Sequence, residues 1–156
     1  MAEPTLRTAR FDDLTTRQLY DLLRLRVDVF VVEQACPYPE IDGRDVDSDT
    51  EHLWVEVGGE QAAYLRLLRD RQRPAGWVIG RVVTASRHRG AGHAASLMHA
   101  ALERVGAAPV RLSAQAHLES WYGGFGFVRA GEDFVEDGIP HLPMERPVGA
   151  AERDPA

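Results

Sequence analysis

Lysine is missing from this 156-residue chain, whose 18 basic residues are all arginine. That absence removes whole reaction classes. A Walker A loop needs its lysine to reach the terminal phosphates, so an ordinary P-loop enzyme is excluded. Schiff-base chemistry, including attachment of pyridoxal phosphate, is excluded on the same ground. Cysteine is nearly absent too. Cys36 stands alone, no disulfide can form within the chain, and a reducing cytoplasm is the expected compartment. No segment approaches the roughly 20 apolar residues of a bilayer span. The start, Met1-Ala2-Glu3-Pro4, carries no apolar leader, so no membrane partner is expected. An excess of basic charge is lacking as well. The net charge of −6 argues against a nucleic-acid partner, which requires a basic face.

What is present suffices for one core. At 44% hydrophobic residues, residues 1–146 read as a single domain and 147–156 as a small, polar, flexible tail. Thr5–Phe11 alternates weakly as a first strand. Thr15 with Gln18 forms a capping-box pattern, and Leu19, Leu22, Leu23, Val27 and Phe30 carry a helix to about Val32. Glu33–Thr50 is loop-like. His52–Val57, a Gly58-Gly59 turn, Gln61–Leu68 and Trp77–Ala85 form a meander. A helix from Ala91 to near Gly106 follows, then a strand Val110–Ala114 and a short helix Leu118–Gly124. Phe127–Phe134 and His141–Glu145 close the chain as a strand pair around Asp137-Gly138. The class is mixed α/β, a central, mostly antiparallel sheet flanked by helices.

The segment Val78–Ala101 carries the chemistry. An apolar strand runs through Arg89-Gly90-Ala91-Gly92 straight into a helix, leaving backbone N–H groups at the positive end of the helix dipole, a site for phosphate or pyrophosphate. Gly90-Ala91-Gly92-His93-Ala94-Ala95 loosely fits a dinucleotide fingerprint. That reading needs an acidic residue about 20 positions on to hold a ribose, and Arg111–His117 contains none.

Arg89-x-x-Gly92-x-Ala94 instead resembles the acetyl-CoA loop of the GNAT acetyltransferase superfamily. Trp121-Tyr122-Gly123-Gly124-Phe125-Gly126-Phe127 resembles a second segment of the same superfamily. Leu25–Gln34, Cys36-Pro37-Tyr38, Ile41-Asp42-Gly43, Ala114–His117 and Glu136–His141 are similar to the ElaA family within it. The resemblance runs from about Arg17 to Glu145. It implies an acyl-CoA N-acyltransferase fold and N-acetyl transfer from acetyl-CoA to an amine. Thr84 and Gln115 are small departures, standing where GNAT proteins often carry valine and asparagine.

On this resemblance Val82, Val83 and Thr84 offer backbone groups to the pantetheine arm, which pairs like an added strand. Arg89, Gly90, Ala91, Gly92, His93 and Ala94 take the pyrophosphate, with Gln115 beside the cofactor. A backbone N–H near Val83 holds the oxyanion, and Tyr122 protonates the departing thiolate. Tyr122 also fits a core cluster with Trp121, Phe125 and Phe127. The base is less well marked, because the strand Trp77–Ala85 holds Arg81 and no carboxylate. Glu33 is the candidate, with His52, His117, His141 and a water relay as competitors. Glu33, His117 and His141 are also candidates for the acceptor side.

The remaining features are weaker. Asp45-x-Asp47-x-Asp49 with Glu56 mimics calcium-loop spacing, but Thr50 occupies the glycine position and Glu56 belongs to a strand, so no metal is expected. The acids of Glu40–Glu51 and Glu132–Asp137 read as solvated loops that would form a negative funnel for a cationic amine. His88, His93 and His99 lack metal spacing, and Cys36 reads as a half-buried thiol. An exposed sheet edge could support a homodimer. The competing function is an acyl-CoA-binding sensor or interaction module without turnover.

Overall fold

The computed structural model describes residues 2–148, which are built around one eight-stranded sheet. The first strand, β1, is Thr5–Ala9, and the helix α1 spans Thr16–Arg26. Thr15 and Gln18 exchange both capping-box hydrogen bonds, at 2.9 and 3.0 Å. The helix continues as a wider π-helical segment, Val27–Glu33. The meander follows as β2 (Glu51–Val57), β3 (Glu60–Arg69) and β4 (Trp77–Thr84). Then come α2 (His93–Val105), β5 (Val110–Gln115) and α3 (Glu119–Gly123). The chain closes with β6 (Val128–Arg129), β7 (Phe134–Glu136) and β8 (Ile139–Arg146). The sheet order is β1-β2-β3-β4-β5-β8-β6, with β7 also on β8; every pair is antiparallel except β4 with β5.

Helices cover both faces of the sheet. Leu97, Met98 and Leu102 of α2 pack on Leu53, Leu65, Leu67, Leu112 and Leu142 on one face, with Tyr122 of α3 beside them. Leu22 and Leu25 of α1, with Val29, pack on Trp54, Tyr64 and Val83 on the other. Double coverage explains β3, which is buried from Gln61 to Leu68 and reads as a near-continuous apolar run instead of an alternating one. Truncating a fully enclosed residue such as Leu22 or Leu97 to alanine costs about 2–5 kcal/mol.

Three expectations need correction. The helix begins at His93 and not at Ala91, because Gly92 is the left-handed cap. The strand Phe127–Phe134 is two short strands, β6 and β7, that pair with different parts of β8. Pro143 explains the gap. Its carbonyl accepts from Ala130 N–H at 2.9 Å, so its nitrogen faces the same neighbour and has no hydrogen to return. Gly131 sits over that proline ring, where an added Cβ would come within 2.9 Å of Cγ.

The third correction concerns the acids of Glu40–Glu51. Glu40, Asp42 and Asp45 are not solvated acids but the counter-charges of a largely buried arginine cluster. Arg26, with no exposed surface, donates to Glu40 and to Asp45, each at 2.7 Å. Arg66 donates to Asp45 at 2.9 Å and to Asp42. Burial opposes charge on Asp42 and Asp45. Hydrogen bonds and charge from Arg66 on Asp42, and from Arg26 on Asp45, outweigh it and hold both carboxyls below their usual range. Farther along, Asp47 pairs with Arg44 and Arg71, and Glu51 with Arg104. The tail expected at 147–156 lies, from 149 onward, outside the described residues. Among the described residues no helix is long and apolar enough to cross a membrane.

Candidate active site

The parallel pair β4–β5 is joined at only two positions, Trp77 opposite Val110 and Val78 opposite Arg111. Beyond them, from Ile79 to Thr84, β4 remains bonded to β3 on one edge and is open on the other. Val82, Val83 and Thr84 all lie on this open stretch. It contains a bulge: Tyr64 pairs with Val83 but Arg66 with Gly80, so Arg81 and Val82 together face Leu65. The bulge shifts the side-chain phase. Trp77 and Ile79 lie in the α2 core, while after the bulge Val82 takes that side and Val83 enters the α1 core.

The chain leaves β4 through a 3-10 turn, Ser86–His88, into the glycine loop. Gly90 and Gly92 have φ of +87° and +79°, values open to glycine and strained for most other residues. Folded in this way, the loop leaves a row of free amides. The Ser96 N–H bonds to the Gly92 carbonyl at 3.0 Å, while none of the N–H groups from Gly90 to Ala95 donates to a backbone carbonyl among the described residues. Ala91, His93 and Ala94 thus contribute donors at a helix N-terminus, as an anion site requires. The segment lies at the surface, with Arg89 to Gly92 exposed. Arg89 donates to the Thr84 carbonyl at 3.1 Å and to both carboxylate oxygens of Glu33, at 2.7 and 2.9 Å.

Since β4 and β5 are parallel, β5 finishes at the same end of the sheet as β4 and delivers α3 there. Tyr122 is 6% exposed and touches the rings of Trp121 and Phe127. Burial pushes its phenol pKa above the ordinary value. Its hydroxyl makes no hydrogen bond among the described residues, yet it is not one of the fully enclosed polar atoms that lack a partner. The ring packs in the α2 core.

On the opposite face lie different groups. Ala114 and Leu142 point into the α2 core, so Gln115 and His141, paired across β5 and β8, point to the α1 side. Gln115 Nε2 is 3.4 Å from Gln34 Oε1. The Cys36 thiol donates to the Asp137 carbonyl at 3.0 Å, closing the segment after α1 onto the β7–β8 turn. His141 donates Nδ1–H to the Ile139 carbonyl at 2.8 Å and stacks on Phe134, and its Nε2 lies 3.7 Å from the Glu136 carboxylate. His117 is exposed on the turn Ala116–Leu118.

Two candidate bases are committed elsewhere. Glu33 lies at the end of the π-helical segment, where the hydrogen bond from Arg89 lowers its pKa and makes it a weak proton acceptor. His52 is wholly buried, between Tyr64 Oη at 2.6 Å and the Asp45 carbonyl at 3.0 Å. Sequence reasoning missed Glu40 and Tyr38 beside β4. The signal was present in Arg26, four residues after Leu22 on the apolar face of α1, and in Arg81 inside an apolar strand, since each demands a buried counter-charge.

A family model, described as an acetyltransferase (GNAT) domain, matches residues 18–147. The chain belongs to the GNAT acetyltransferase family. Within it, the protein ElaA of Escherichia coli is 44% identical over 87% of this chain and 92% of its own length. Rv2851c of Mycobacterium tuberculosis is 51% identical, over 91% and 92%. A crystal structure of an acyl-CoA N-acyltransferase from Pseudomonas aeruginosa matches with a TM-score of 0.86 at 47% identity, covering 92% of this chain and 99% of that one. The crystal structure of E. coli ElaA matches equally well, at 0.86 and 40% identity over the same shares. This is the acyl-CoA N-acyltransferase fold, and an acyl-CoA donor and an amine acceptor are the substrates that a GNAT acyltransferase implies.

Proposed function

We propose that this GNAT protein moves an acetyl group from acetyl-CoA to a primary amine by direct attack. One observation supports the reading above the others: an unpaired strand edge, Ile79–Thr84, leads directly into a loop of unpartnered amides at the start of α2. The edge matches the amide-bearing pantetheine arm and the loop matches the pyrophosphate. Val82, Val83 and Thr84 bind the arm, Gly90 to Ala94 take the phosphates, and Gln115 borders the thioester end of the gap.

The amine meets the carbonyl from the α1 side, between the Gln34–Cys36 segment and the β7–β8 turn. An ammonium must lose its proton first. His141 Nε2, 3.7 Å from the Glu136 carboxylate, is the proposed acceptor on that side, directly or through water. As the tetrahedral intermediate forms, a backbone N–H near Val83 holds the oxyanion. Its collapse breaks the carbon–sulfur bond, and Tyr122 gives its proton to the thiolate. A phenol near pKa 10 and a thiol near 8.5 make that step mildly uphill in water. Burial makes it steeper but also keeps the phenol protonated throughout the neutral range.

The acceptor is proposed to be a cation, on the strength of the net charge of −6 and of Glu136 and Asp137 at the β7–β8 turn. Glu40, Asp42 and Asp45 add little to that field, because their charges are matched by Arg26, Arg66 and Arg81. The test is thermal shift with acetyl-CoA, CoA, ATP and NAD, then thiol release with polyamines and with acidic amino acids. Stabilisation by acetyl-CoA alone or with CoA, followed by release with a polyamine, is expected. Stabilisation by NAD would overturn the cofactor assignment. Binding without release across the amine panel would favour a sensor.

A further inference from the structure

Arg81 has φ of +56°. A left-handed bulge position is one that glycine normally fills, and a bulky residue there carries strain that persists only where its surroundings fix the conformation. Here they do. Nε of Arg81 donates to the Glu40 carboxylate at 2.9 Å and Nη2 to the Glu40 carbonyl at 3.0 Å. Arg26 donates to the same carboxylate at 2.7 Å and the Tyr38 hydroxyl at 2.5 Å, so Glu40 is itself held from three sides. Its side chain is 2% exposed, which fixes its position in the core. Asp42 lies 3.4 Å from the outer nitrogen of Arg81.

From this arrangement we infer that Glu40 is a positioning residue for the acyl-transfer site. It clamps Arg81 in the left-handed conformation, and the resulting bulge sets which way the amides of Val82 and Val83 face. Glu40 touches neither donor nor acceptor and acts through the backbone of β4. The inference rests on the reading of β4 as the acyl-CoA edge. Its structural half, the clamp, holds or fails without any ligand.

The test separates the two. Arg81→Ala removes the clamp but leaves a Cβ in a left-handed conformation, whereas Arg81→Gly removes the clamp and the strain together. In amide hydrogen exchange without ligand, Arg81→Ala is expected to speed exchange across 79–84 more than Arg81→Gly. With acetyl-CoA, Arg81→Ala is expected to weaken binding about tenfold, the scale of one strained left-handed residue, while Arg81→Gly stays within about threefold of the parent. Glu40→Gln is expected to behave like Arg81→Ala, and adding Arg81→Gly to it restores binding. Equal behaviour of the alanine and glycine variants, or a double variant no better than Glu40→Gln, would overturn the clamp. If the parent protein fails to bind acetyl-CoA while the exchange pattern holds, the cofactor assignment of β4 falls and the clamp stands.

Discussion

Glu33 and Arg89 meet as a two-bond fork, 2.7 and 2.9 Å, at the entrance of the glycine loop. One guanidinium is thus bound to a carboxylate beside the amides proposed for the pyrophosphate. A phosphate that uses Arg89 must displace Glu33.

Glu33→Gln is therefore expected to tighten the binding of acetyl-CoA. The pair is half-exposed, so the gain is small, about two- to fivefold in affinity by calorimetry. The kcat on an active amine stays near the parent value. A fall in kcat of about 100-fold would instead make Glu33 the general base.

Tyr122→Phe is expected to leave acetyl-CoA affinity unchanged and to lower kcat by about 100- to 10,000-fold. Steady-state kinetics over pH 6 to about 9, the interval around a thiol's titration, give the check. The hydroxyl is needed only as the thiolate leaves. An unchanged kcat would return Tyr122 to a packing role beside Trp121 and Phe127.

Gly92→Asp is expected to abolish the thermal shift with acetyl-CoA, whereas Gly92→Asn keeps part of it. Asparagine tolerates the left-handed conformation and has the same size as aspartate, and a Cβ at Gly92 meets no atom within 4 Å. The difference between the two variants isolates charge from shape. Equal shifts in both would remove the phosphates from this loop.

Stability is expected to fall in two steps on acidification. His52 is held neutral, its pKa lowered by burial and by the Arg26 and Arg66 charges. The folded state therefore binds fewer protons there than the unfolded chain, whose imidazole titrates near 6.5. That contribution is full above about 6.5 and is lost as the pH falls below it. Asp42, Asp45 and Asp70, the last held by two hydrogen bonds from Arg111, also have lowered pKa values, and their contribution is lost only as pH drops below the ordinary carboxylate range near 4. Melting temperature against pH checks both steps. His52→Gln removes the first and leaves the second.

Local chemistry was legible in the sequence, and long-range charge pairing was not. The Thr15–Gln18 cap and the Gly58-Gly59 and Asp137-Gly138 turns depend on residues a few positions apart, and each occurs as read, while the glycine loop opens its helix two residues later than read. Glu40, Asp42 and Asp45 looked like a solvated acid run because their partners are far along the chain. Arg26 precedes Glu40 by 14 positions, and Arg81 follows it by 41. Periodicity reports faces and not partners. The bulge at Arg81 was hidden for a related reason, since one extra residue in an apolar strand leaves no mark on the pattern when both faces are buried. For the site, the loop and Tyr122 came from motif position. The environments of Glu33 and His141 needed the fold to bring separate elements together.

The two-rung junction between β4 and β5 has a consequence for the protein's lifetime in a cell. Any molecule bound along Ile79–Thr84 completes a sheet that the chain leaves unfinished, and it binds only the folded form. At 100 times its dissociation constant, such a ligand adds about 2.7 kcal/mol of stability, a roughly hundredfold smaller unfolded population. Proteases that cut the unfolded chain then find less of it, so the abundance of this protein is expected to rise and fall with the acyl-CoA supply.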